Sequence, residues 1–191
     1  MSVTIPDSVV GVGAYSFKNC NSLTNVTIGS DVKWIGIDAF EGCNNLLYDM
    51  TMIVGVKIVD GWAVKGSSSL SGNLNLLGIR GIGNYAFRNC YNLKSVNIPN
   101  SVERIGQVAF ADCNSLKNIF IPNSVIDIGS SAFSNCSLLT SITIPEGVTS
   151  IGDSAFSYCR SLTSITVSEN NQAYMSIDGS LYTKDGKELI W

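Results

Sequence analysis

Short stretches of strictly alternating apolar and polar residues recur along this chain, among them Asn25-Val-Thr-Ile28, Ser141-Ile-Thr-Ile144 and Ser164-Ile-Thr-Val167. Alternation with period two, carried by β-branched residues, is the pattern of a short strand with one buried face. Proline follows four such stretches, as Pro6, Pro99, Pro122 and Pro145. Having no N–H to donate, it ends the ladder of each strand. Between strands the pattern changes to G-x-x-A-F-x-x-C, with apolar residues three apart. That spacing predicts a single helical or 3-10 turn packing one face inward, and the glycine ahead of it lets the backbone bend.

The two patterns alternate at a fixed distance. Cys20, Cys43, Cys90, Cys113, Cys136 and Cys159 are separated by 23, 47, 23, 23 and 23 residues, and 47 is two periods plus one. Six of the seven phenylalanines (Phe17, Phe40, Phe87, Phe110, Phe133, Phe156) each precede a cysteine by three residues. A fixed period in this range marks a repeat solenoid. One coil cannot bury its own apolar face, so stacked coils must share a continuous core of Ile, Leu, Val, Phe and Cys. Five coils follow the pattern closely, and a sixth, Ile35 to Leu46, follows its first half. Between Leu47 and Gly81 the turn pattern is absent, and Val56-Lys-Ile-Val-Asp-Gly-Trp-Ala-Val64 predicts a β-hairpin on Asp60-Gly61. Further Asp-Gly turns at 178–179 and 185–186 predict a three-stranded meander that caps the open end of the stack. The expected organisation is one domain over residues 1–191: N-terminal coils at 1–46, an irregular hairpin insertion at 47–81, regular coils at 82–173 and a β cap at 174–191. The chain opens on the strand half of a coil, which predicts that further coils precede it in the natural protein.

Composition narrows the function classes. The chain is 45% hydrophobic and only 14% charged, with net charge −3 and no basic block, so nucleic acid is not an expected partner. No apolar run approaches the length that spans a bilayer, and membrane insertion is not expected. The N-terminus lacks the basic segment and apolar core of a signal peptide. A mature or excised piece of an exported protein is the favoured setting over a cytosolic protein, because the chain starts in mid-repeat.

Six thiols in register invite a chemical reading, which their spacing opposes. No two are closer than 23 residues and there is no histidine, whereas metal ligands converge, usually from close pairs. A disulfide needs Cβ atoms about 3.8 Å apart, while stacked strands lie about 4.8 Å apart. A ladder of free, buried, unreactive thiols is expected. Gly81-Ile-Gly83-Asn-Tyr-Ala86 fits a dinucleotide fingerprint only because repeat positions generate it, so no cofactor is implied. Without histidine, Ser-His and Cys-His pairs are impossible, and the carboxylates scatter over different positions of different coils. Asn25-Val-Thr27 and Asn135-Cys-Ser137 match the glycosylation pattern at the rate such a composition produces by chance.

The strand face remains. Its outward positions are Asn25, Thr27, Ser95, Asn97, Asn118, Phe120, Ser141, Thr143, Ser164 and Thr166, of which nine are small and uncharged. Phe120 is the exception and the phenylalanine that stands off the ladder. It is a candidate contact anchor on a nearly neutral platform formed by Asn97, Asn118, Ser141, Thr143 and Thr166. Trp62 is a second candidate, although packing of the irregular coil onto its neighbours is the stronger expectation for it.

The pattern I-G-x-x-A-F-x-x-C-x-x-L-x-x-I-x-I-P, nearly verbatim at Ile105–Pro122 and Ile128–Pro145, resembles the BspA-like (treponemal-type) leucine-rich repeat family. The segments around Val59–Val64 and Tyr174–Ile190 are similar to those that accompany such repeats. The resemblance implies a curved leucine-rich-repeat solenoid with parallel strands on the concave face. It implies no catalytic residues. It also implies extracellular or cell-surface display in a host-associated microbe, and non-enzymatic adhesion or protein binding, with a host surface or matrix protein as partner. Two alternatives stand beside that function, a scaffold or spacer region of a larger enzyme or toxin and a glycan-binding platform.

Overall fold

The computed structural model describes residues 1–49 and 53–191, so residues 50–52 of the expected insertion lie outside it. Seventeen short strands are described: β1 (Ser2–Ile5), β2 (Gly11–Val12), β3 (Asn25–Ile28), β4 (Trp34–Ile35), β5 (Val56–Val59), β6 (Trp62–Gly66), β7 (Ser71–Asn75), β8 (Gly81–Ile82), β9 (Asn92–Asn97), β10 (Arg104–Ile105), β11 (Asn118–Phe120), β12 (Asp127–Ile128), β13 (Ser141–Ile144), β14 (Ser150–Ile151), β15 (Ser164–Val167), β16 (Tyr174–Ile177) and β17 (Ser180–Thr183). They wind into a parallel β-solenoid. The longer strands of the alternating segments stack as β1-β3, β7-β9-β11 and β13-β15, and the two-residue strands ahead of each turn glycine stack as β2-β4 and β8-β10-β12-β14. Equivalent residues of adjacent regular coils pair at the sequence period, as in Ser141 with Ser164 and Ile142 with Ile165.

The expected helical or 3-10 turn is not what forms; no described residue is helical. In the coil from Gly106 to Cys113, the amides of Ala109, Ala111 and Cys113 donate to the carbonyls three residues back, at 3.2–3.3 Å. The intervening amides of Val108, Phe110 and Asp112 turn outward and donate to Ser130, Ala132 and Ser134 of the next coil, at 2.8–2.9 Å. Left-handed residues at Val108 (φ 57°) and Asp112 (φ 62°) produce this alternation. A helix would spend every amide inside its own segment. Here half of them join coil to coil, so the convex side is a third hydrogen-bonded ladder.

The phenylalanines stack inside it. Ring centroids are 5.1 Å apart for Phe87–Phe110, 5.6 Å for Phe110–Phe133 and 5.8 Å for Phe133–Phe156, and Phe17–Phe40 at 5.3 Å form a separate pair. The interruption explains why the long cysteine gap is not a whole number of periods. A coil is present there, with Leu70 in the cysteine position: its amide donates to Ser67 O at 3.0 Å, and the Cys90 thiol reaches the same carbonyl at 3.5 Å. Antiparallel β5 and β6 form the predicted hairpin and extend the β8 sheet. The hairpin tip also completes the edge of β3: Asp60 Oδ2 accepts the Ile28 amide at 2.7 Å and pairs with Arg80 at 2.8 Å, while Arg80 Nη2 donates to Ile28 O at 2.7 Å. At the C-terminus β16 and β17 pair, and the third strand of the expected meander reduces to a single bridge, Tyr182–Leu189.

Candidate interaction face

Alternation puts one side of each longer strand in the core and the other in solvent. Asn97, Asn118, Phe120, Ser141, Thr143 and Thr166 are all exposed on that outer side. Like residues bond across coils: Ser95 Oγ donates to Asn73 Oδ1 at 2.8 Å, Asn97 Nδ2 to Asn75 Oδ1 at 3.2 Å, and the Thr143 and Thr166 hydroxyls meet at 2.9 Å. These contacts hold the polar side chains upright as ordered rows. The strand ladder breaks between β11 and β13, and Phe120 stands at that break, opposite Asn97 in register and 60% exposed. Beside it a groove of about 560 Å³ is lined by Asn97, Asn118, Phe120, Thr143 and Pro145.

Trp62 lies elsewhere. It is 4% exposed, on β6, in the other sheet. It is covered by Gly81, where any side chain would collide with the indole ring. Packing accounts for it, and it offers no surface to a partner.

Two residues on the strand side escaped the sequence reading. Lys94, on β9, and Lys117, just before β11, are exposed neighbours in adjacent coils, with the Lys117 amide donating to Lys94 O at 2.9 Å. Each stands four residues after its cysteine, and that shared position was the available signal.

The thiols are free, five buried and Cys20 half-buried. Where the coil before carries the repeat phenylalanine, the buried thiol donates to its carbonyl: Cys113 to Phe87 at 3.3 Å, Cys136 to Phe110 at 3.2 Å and Cys159 to Phe133 at 3.1 Å. Burial pushes the Cys90 thiol up to about 11 and raises Cys43 and Cys113. The neighbouring Cys159, together with burial, raises Cys136. Such thiols are poor nucleophiles at neutral pH. No helix among the described residues is long and apolar enough to cross a membrane.

Comparison with known proteins agrees with this architecture. The model of the BspA type leucine rich repeat region matches in six copies, over residues 1–76 and 78–181. No curated protein matches the chain. Among solved structures, a leucine rich cell surface protein from Faecalibacterium prausnitzii is 34% identical, with a TM-score of 0.56, over 100% of this chain and 45% of that one. The pneumococcal vaccine antigen PcpA is 27% identical, with a TM-score of 0.58, over 100% of this chain and 46% of its own. A leucine-rich repeat protein from Bacteroides capillosus is 27% identical, with a TM-score of 0.50, over 61% of this chain and 89% of its own. This chain spans less than half the length of the first two. With its repeats matched over nearly their whole extent, the chain belongs to the BspA type leucine-rich repeat family.

Proposed function

We propose that the chain is a non-enzymatic interaction module that holds a partner protein against its strand face, as part of a surface-displayed or secreted bacterial protein. The observation that carries this reading is Phe120, 60% exposed beside a groove, where the other outward positions of the alternating strands are small and uncharged. An exposed aromatic ring beside a pocket is the kind of group that dominates interface energetics. The core beneath it is stacked and the rows around it are hydrogen-bonded, so binding would immobilise few side chains and lose little entropy. The descriptions of two structural neighbours, a cell surface protein and a vaccine antigen, support surface display; a host surface or matrix protein is the partner this reading proposes.

The test is binding of the purified protein and its Phe120→Ala variant to a panel of immobilised extracellular-matrix and epithelial surface proteins. At least one panel protein should bind the parent and bind the variant about tenfold more weakly, the equivalent of about 1.4 kcal/mol. The variant's folding stability should stay within about 1 kcal/mol. Equal binding by parent and variant would reject the anchor.

A further inference from the structure

The Lys117 amide, just ahead of β11, donates to Lys94 O on β9, so the two lysines are neighbours in adjacent coils, and both are exposed. Like charges directly opposed across strands destabilise a sheet. Six cations elsewhere are ion-paired, and neither of these two has an anionic partner among the described residues. The fold does not ask for them. The same position in other coils holds Thr24, Thr140 and Thr163, and threonine fits a strand better than lysine does. An unfavourable pair that packing does not require is the local inconsistency expected of a functional site.

Lys117 stands just before β11 and three residues from Phe120 along the chain, roughly 10 Å at about 3.3 Å per extended residue. The cation pair and the aromatic groove therefore fall within the reach of one extended peptide segment. We infer that the segment bound here is acidic: clustered Asp or Glu side chains against Lys94 and Lys117, and an apolar side chain two to four residues away against Phe120. A long polyanion fits less well, because two lysines release few counterions and the chain as a whole carries −3. The inference rests on the strand face being the interaction face.

The probe is a synthetic peptide, Gly-Ser-Glu-Glu-Ser-Leu-Gly-Ser, compared with its Gln-Gln twin by two-dimensional NMR titration of the whole chain. The acidic peptide should shift the amide signals of Lys94, Asn118 and Phe120, bind at least about tenfold more tightly than the twin, and lose that advantage as salt rises. The double variant Lys94→Thr, Lys117→Thr should keep the parent's fold by NMR, melt no lower than the parent and bind both peptides equally. Phe120→Ala should weaken both peptides together. Equal affinity of the parent for the two peptides overturns the acidic partner, as does a preference that survives in the double variant. Shifts of the same amide signals by heparin, with none from either peptide, overturn it in favour of an anionic polymer. If the peptides fail while panel binding still depends on Phe120, the acidic partner falls and the interaction face stands; if panel binding is indifferent to Phe120, the face itself falls.

Discussion

Phe133→Ala tests the continuity of the core. Phe133 is 0% exposed, and its ring lies between Phe110 at 5.6 Å and Phe156 at 5.8 Å, within 2° of parallel to both. Truncating a buried phenylalanine removes its transfer free energy and leaves a cavity, together about 3–5 kcal/mol. The two flanking stacks, each worth about 0.5–1.5 kcal/mol, put Phe133 towards the upper end. For a chain of this size the loss lowers the melting temperature by roughly 6–20 °C, at about 2–4 °C per kcal/mol. Phe17→Ala is the internal control: that ring is half-buried and stacks on Phe40 alone, so its truncation should cost about half as much. Urea titrations followed by circular dichroism measure both, with a shared slope confirming that the midpoints report stability. Equal costs for the two variants, or an unmoved midpoint for Phe133→Ala, would refute the picture of a stacked ladder whose interior members carry more than its ends.

Two further outcomes follow from the turn and the thiols. Val108→Asn should raise stability by about 1 kcal/mol, because a β-branched residue at φ 57° sits in a region that asparagine tolerates, and its amide bond to Ser130 O does not involve the side chain; an unchanged urea midpoint would show that the turn carries no such strain. Stability should also fall in alkali: folding holds the Cys90 thiol protonated, up to about 11. That contribution is complete below the unfolded thiol range near pH 9 and is lost as pH rises through the folded value, so a midpoint flat from about pH 8 to 11 would show the thiols to be accessible.

What could be read in advance followed from side-chain pattern, and what could not followed from backbone conformation. The cysteine and phenylalanine positions marked the coils, and alternation marked Phe120 as outward-facing. Apolar residues three apart, however, suit a 3-10 turn as well as tandem left-handed turns. The first left-handed position of each turn holds Tyr15, Asp38, Tyr85, Val108, Ser131 and Ser154, mostly types without a strong preference for that region, whereas the second, just before each cysteine, holds Asn19, Gly42, Asn89, Asp112, Asn135 and Tyr158, five of them types that favour it; that second position was the legible signal. The third coil was hidden because Leu70 and Ser67 replace the cysteine and phenylalanine that served as the ruler. Lys94 and Lys117 were hidden differently: each looks like an ordinary exposed residue, and their shared place four residues after a cysteine was easily passed over until the bond from the Lys117 amide to Lys94 O set them side by side.

The irregular coil also reveals what the cysteine position is for. In the regular coils a phenylalanine carbonyl accepts its own coil's cysteine amide and the next coil's thiol, as Phe110 O does from Cys113 and Cys136. Leu70 has no thiol to offer the carbonyl of Phe40. That carbonyl is instead taken by the Tyr48 hydroxyl at 2.7 Å, from a segment that departs from the repeat. A second donor is thus supplied where the cysteine is missing, which fits a role for the position as a small apolar group that can also donate. A buried carbonyl with its hydrogen bonds satisfied carries no desolvation penalty, and the same bonds tie each turn to the next along the axis. A face held by three such ladders, the strands, the short strands and the turns, is rigid before a partner arrives. Under the proposed interaction, selectivity would rest with the few side chains that depart from the repeat, Phe120, Lys94 and Lys117.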